Sequence, residues 1–290
     1  MISVRLETPT KLVAVDAERC VGVLTFFRNR VHYHPRIYSV TFSDFASDVD
    51  AVVISHQLYD NLVQELRTDS PLLLRTGVDE GDDLYAVLRS LGFRDYRRVY
   101  SPVLDIEAFD LESIQDTESR FAALGYRIVR LADLELTAGV EAQLYDLHTE
   151  VYTDTSTIVP ATPKRFGQRE WLEAFVYSND VLPDAFFIAA KGNEFVGFGN
   201  LFMGVAEGEL ETGTFGTKRT YRHHHREIML AIKAREIAYA KQHGYATIRA
   251  EIDAENPWIL QICAELPFVQ GRDYISMVRV MNWTVQRHAT

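Results

Sequence analysis

The densest group of chemically capable side chains in this chain is the run Lys218-Arg219-Thr220-Tyr221-Arg222-His223-His224-His225-Arg226. Imidazoles bind transition metals, but a tetrahedral ion usually wants spaced ligands with a carboxylate or thiol partner, and consecutive residues do not easily converge on one ion. No metal site is therefore expected. Cationic side chains also hold phosphate through charge-assisted hydrogen bonds, and this run is a local basic patch in a chain of formal net charge −11. A solvated loop is the alternative for the same residues. The other reactive group is Cys263, whose thiol could act as nucleophile or proton donor. No His or Asp beside it in sequence supports activation, and its place in an apolar stripe points to packing. Asn256, followed by Pro257, reads as a helix N-cap with proline at the first helical position.

These residues are positioned by a repeated unit. Shifted by 175 positions, residues 72–93 (LLLRTGVDEGDDLYAVLRSLGF) lie without a gap over residues 247–268 (TIRAEIDAENPWILQICAELPF). Each copy reads as strand, turn, amphipathic helix and tight turn. Leu84, Val87, Leu88 and Leu91 repeat at i, i+3, i+4 and i+7, as do Ile259, Ile262, Cys263 and Leu266. The same offset carries Val21-Gly22 onto Val196-Gly197, each in the second strand of a hairpin. A third strand (34–42 and 210–218) and a helix (about 52–66 and 226–243) complete the order β-β-β-α-β-α-β in both copies. In the second long helix Leu230, Ala234, Ile237 and Ala238 are expected to face the sheet, with Gly244 as its stop. Ahead of the second copy a strand (126–131) and two helices (136–152 and 163–177) are expected, the latter capped by Thr162. The first copy has room only for a strand at residues 2–6. A helix over 105–124 reads as a linker. The division is a reduced domain at 1–106, a linker at 107–124 and a fuller domain at 125–290.

Composition fits this plan. A chain of 290 residues suits two domains, and 47% hydrophobic with 24% charged residues is a globular mixture. No stretch approaches the roughly 18 apolar residues of a membrane helix. Two cysteines are too few for a disulfide framework, so a cytoplasmic protein with reduced thiols is expected. The acidic balance disfavours nucleic acid and accommodates a cationic substrate more easily, although acidic surface also serves solubility.

The run TKRTYRHHHREIMLAIKAREIAYAKQHGYATIRAEIDAENPWILQICAELPF resembles the GCN5-related N-acetyltransferase superfamily. The resemblance covers residues 125–281 well and 11–104 more weakly. It implies an α/β fold with a mixed sheet in two tandem domains, the first trimmed. It also implies acetyl-CoA as co-substrate, its pyrophosphate at the start of the central helix. Counting back from Ala231-Ile232-Lys233 sets the superfamily's Arg/Gln-x-x-Gly-x-Gly/Ala signature on His224-His225-Arg226-Glu227-Ile228-Met229, which has lost both glycines. An insertion that instead starts the signature at Tyr221-Arg222 recovers none. Lys218, Arg219, His224, His225, Arg226, Glu227, Ile228 and Asn256 are the cofactor-binding candidates. In the first copy residues 43–54 hold Asp44, Asp48 and Asp50 with no Gly, Lys or Arg, so no CoA is expected there. The resemblance implies a carboxylate base on a central strand, Glu211 before Glu251, and places Cys263 where the superfamily often has a tyrosine acid. By the same resemblance the helices over 136–177, with Tyr145, His148, Tyr152, Trp171 and Tyr177, line the acceptor pocket. The expected function is acyl transfer from CoA to a small amine, with a homodimer allowed. The alternative is a degenerate member that binds a ligand or partner without catalysis.

Overall fold

The computed structural model describes residues 2–28, 36–155, 167–254 and 256–281. The chain forms two compact units, Met1–Val99 with Asp273–Thr290, and Tyr100–Arg272.

The first unit runs β1 (Ser3–Thr8), β2 (Lys11–Asp16), β3 (Arg19–Arg28), β4 (Ile37–Ser43), α1 (Ala51–Glu65), β5 (Leu73–Asp79), α2 (Leu84–Ser90) and β6 (Arg94–Tyr100). Its last strand comes from the far end of the chain. β15 (Tyr274–Val280) is inserted between β5 and β6, antiparallel to both. The expected strands and helices are all present, with β4 parallel to β5. The first residues of the strand read at 34–42 lie outside the described residues. Asp50 caps α1 by accepting from Val52 N–H at 2.8 Å. Ile54, Leu58 and Leu62, at helical spacing, bury completely against the sheet.

The second unit contains β7 (Val103–Asp105), α3 (Gln115–Ala123), β8 (Tyr126–Arg130), α4 (Ala138–Thr155), α5 (Gln168–Phe175), β9 (Phe186–Lys191), β10 (Glu194–Met203), β11 (Glu209–Thr212), β12 (Gly216–Thr217), α6 (His225–Gln242), β13 (Thr247–Arg249), β14 (Ile252–Asp253) and α7 (Pro257–Glu265). Its sheet is ordered β7-β13-β11-β10-β9-β8, with β12 also on β10. The Thr162 cap and the start of the helix read at 163–177 lie outside the described residues. Among the described residues no helix is long and apolar enough to cross a membrane.

Four features differ from the sequence reading. The compact units divide the chain at residues 99 and 272, because β15 completes the sheet of the first copy, while β7 takes the edge of β13. The segment read as a linker helix begins as strand β7, continues through a 3-10 turn at Leu111–Ile114, and becomes α3, which buries Phe121 in the core of the second unit. The strand read over 210–218 is two short strands, because Gly213 N–H turns back to Asn200 O at 2.8 Å. Finally, Ala238 is exposed, whereas α6 is buried on nearly every side from Ile228 to Ala234.

Candidate active site

The basic run is ordered rather than looped. Arg219–His224 forms a 3-10 helix leading directly into α6. Its side chains do not converge on one point. Lys218 pairs with Glu194 at 2.9 Å, and Tyr221 donates to the same carboxylate at 2.8 Å; both bonds hold Glu194 below its ordinary range. Arg219 N–H donates to Glu150 at 2.7 Å. The His224 ring meets the Tyr126 hydroxyl at 2.7 Å and stacks tilted on His223. His225 turns inward, with Nδ1 2.9 Å from Thr217 Oγ1 and Nε2 without a partner among the described residues; burial, then the charge of Arg222, lowers its pKa to about 4. Arg226 forms a forked ion pair with Glu265 of α7, with Nε 2.7 Å from Oε1. Ile228 and Met229 are fully buried in the core, so neither side chain occupies the helix mouth. Glu227 remains in the first turn. Among the described residues no group of three or more His, Cys, Asp or Glu is placed to hold a metal ion. Asn256 caps α7 as read, accepting from Ile259 N–H at 3.3 Å.

The two carboxylates expected to serve as base are brought near one another. β11 runs parallel to β13, with Glu211 opposite Arg249. Glu209 accepts from Arg249 at 2.7 Å and 3.1 Å. Glu211, on the same strand face two residues later, is half-buried. Burial, then the negative charges of Glu251 and Glu209, raise its pKa, against the opposing pull of Arg249. A carboxylate destabilised in this way accepts a proton more readily than an exposed one.

Behind this strand lies a buried ion pair that sequence periodicity missed. Lys233 Nζ stands 2.7 Å from Glu236 Oε2, with the two side chains 4% and 0% exposed. The ammonium also reaches Thr212 Oγ1 at 3.5 Å and lies over the Phe215 ring at 4.1 Å. Among the described residues Glu236 Oε1 has no partner, and burial pushes this carboxyl upward against the pull of Lys233. Gly199 of β10 makes the room: a Cβ there would stand 2.7 Å from both Glu236 Oε1 and Ile232 Cγ2. Glycines at 197 and 199, alternate positions on one strand face, were the sequence signal that α6 approaches closely here. Cys263 senses both charges, but burial dominates and pushes its thiol up to about 11. At neutral pH it is protonated.

On the other face of β10, α4 and α5 enclose an aromatic cluster. His148 is 6% exposed and packs against Tyr152, Trp171, Phe175 and Phe198. Among the described residues its Nε2 and the Trp171 Nε1 lack partners, and burial lowers the His148 pKa to about 3. The neutral ring in the fold and a protonated ring in the unfolded chain give a definite sign. Stability is full above the unfolded value of 6.5 and falls as pH drops below it. From pH 6.5 to 5 the loss from His148 is about 2 kcal/mol, one and a half pH units at roughly 1.36 kcal/mol each. Denaturant unfolding at pH 7 and pH 5 checks this; His148→Phe should shrink the difference by about that amount and leave the share of His225, whose lowered pKa has the same sign, and an undiminished difference would reject it.

No family model matches the chain, and no curated protein matches it. Solved structures do. A GCN5-related N-acetyltransferase from Sphaerobacter thermophilus superposes with a TM-score of 0.67 at 11% identity, covering 94% of this chain and 81% of that one. A tandem GNAT protein from the clavulanic acid biosynthesis pathway gives 0.65 at 13%, covering 94% and 83%. The glucosamine N-acetyltransferase region of a fungal multi-domain β-N-acetylglucosaminidase gives 0.68 at 14%, covering 93% of this chain and 33% of that one. The chain therefore has the tandem GCN5-related N-acetyltransferase fold.

Proposed function

We propose that the second unit of this GNAT-fold chain transfers an acyl group, acetyl in the simplest case, from CoA to a small amine in the cytoplasm. The observation that carries this reading is Glu211: a half-buried carboxylate, its proton affinity raised by burial and by two neighbouring carboxylates, on the central strand β11. The amine attacks the thioester carbonyl directly. A C–N bond forms, the C–S bond breaks with its electron pair on the coenzyme sulfur, and Glu211 takes the proton that the ammonium must lose. Burial makes Cys263 a weaker acid than an ordinary thiol and leaves it no nucleophile, so the coenzyme sulfur takes the second proton that nitrogen sheds as the amide forms.

For the coenzyme, the start of α6 fits a pyrophosphate in one respect. The helix has 18 residues and no side-chain cap, since His224 faces Tyr126 instead. The first-turn amides of Arg226, Glu227 and Ile228 are the proposed cradle, with Lys218, Arg219, His224 and His225 beside it and Asn256 at the start of α7. Arg226 would exchange Glu265 for phosphate; both side chains are partly exposed, which keeps that exchange inexpensive.

The same ion pair, with Glu227 in the first turn, favours a second reading: a ligand-binding or interaction protein without catalysis. Incubation with acetyl-CoA and a panel of small primary amines, with free thiol measured over time, separates the two. Amine-dependent thiol release supports transfer. Binding of acetyl-CoA without release for any amine supports the non-catalytic reading.

A further inference from the structure

The 175-residue offset pairs the α6–α7 groove of the second unit with the α1–α2 groove of the first. In the second unit two contacts bridge the helices: Arg226 with Glu265, and the His225 ring against Trp258 at 5.9 Å. The paired positions in the first unit are Ala51 with Ser90, and Asp50 with Asp83. Two side chains there are too short to meet, and two are like-charged. The groove accordingly stays open, as a cavity of about 620 Å³. Its floor is apolar, with Phe45, Val49 and Leu84 partly buried and Val87 buried. Its rim carries Asp50, Asp82 and Asp83, and among the described residues no Lys or Arg lines it. Asp50 and Asp82 also occupy the helix starts themselves, accepting from Val52 N–H and Leu84 N–H at 2.8 Å each.

This combination selects a ligand class. A phosphate would meet three carboxylates and helix amides already satisfied by aspartate. A cation with an apolar body would place its charge on the rim and its carbon skeleton on the floor, and the volume is that of a small-molecule site. We infer that the first unit holds a second ligand site, separate from the proposed acyl-transfer site, for an organic ammonium ion with a compact hydrocarbon body. The duplicated helix pair thus differs at its groove: the second copy closes it with the Arg226–Glu265 pair, and the first leaves it open with carboxylates at Asp50 and Asp83.

The test uses the full chain with ¹³C-labelled Val and Leu methyl groups, titrated with 2-phenylethylammonium. Saturable shifts of the Val49, Leu84 and Val87 methyls are expected, with a Kd on the order of 0.1–1 mM. The neutral isostere 2-phenylethanol should bind at least about fivefold more weakly. Ala51→Arg with Ser90→Glu rebuilds the bridge of the second unit at exposed or half-exposed positions, and should weaken the ammonium by about tenfold or more. Asp83→Asn, whose side chain caps no helix, should weaken it without disturbing the fold. Absence of shifts up to about 10 mM, equal binding of the alcohol, or unchanged binding by the rebuilt-bridge variant would each overturn the inference.

Discussion

Glu211→Gln is expected to lower kcat for acyl transfer by about 10²–10⁴ while leaving KM within a few fold, the range associated with removing a positioned general base. Gln keeps the shape and the strand pairing of Glu211 with Arg249 but cannot accept the proton. Folding should survive, because the substitution removes one of three mutually repelling carboxylates around Arg249. The pH profile adds a sign. Glu211 works when ionised, and its pKa is raised, so the wild-type rate should climb through an ionisation above 4.5, the ordinary glutamate value. Glu251→Gln removes one source of repulsion and should move that acid limb to lower pH with a small change in kcat. A Glu211→Gln enzyme with wild-type kcat would reduce Glu211 to a strand carboxylate.

The second large effect concerns the buried pair. Lys233→Ala should destabilise the second unit by about 3–5 kcal/mol, since it strands Glu236 as a fully buried carboxyl whose Oε1 already lacks a partner among the described residues. Lys233→Met with Glu236→Met should recover most of this loss, because both charges disappear and the methionines fill similar volume. Denaturant unfolding of wild type, Lys233→Ala and the double methionine variant measures both changes. If Lys233→Ala cost no more than about 1 kcal/mol, the ion pair would behave as a solvated one, contrary to its burial.

These residues also mark what the sequence could and could not reveal. The offset of 175 was legible because helical spacing, such as Leu84, Val87, Leu88 and Leu91, and glycine stops depend on neighbours a few residues apart. The placement of β15 was not: β5 and β13 each accept an antiparallel neighbour, and nothing local to Tyr274–Val280 says which sheet it joins. At the site, Glu211 and Glu251 were found as strand carboxylates by resemblance, but their mutual repulsion depends on the parallel pairing of β11 with β13. The basic run was legible as charge. Its neutralisation by Glu194 and Glu265 was not, because those partners lie 24 and 39 residues away. Lys233 and Glu236 were hidden for a different reason. A stripe through Leu230, Ala234, Ile237 and Ala238 leaves them on the polar side, yet α6 is enclosed on that side too.

Titration of the full chain with acetyl-CoA in a calorimeter, repeated for Arg226→Glu and Glu265→Gln, tests the account most directly. The central claim is that the start of α6 holds the coenzyme by taking Arg226 from Glu265. Wild-type binding is expected at micromolar to low millimolar strength, about −8 to −4 kcal/mol. Arg226→Glu should abolish it, and Glu265→Gln, which frees the guanidinium, should tighten it severalfold. No heat for acetyl-CoA, CoA or a longer acyl-CoA, or binding indifferent to both substitutions, would contradict the claim.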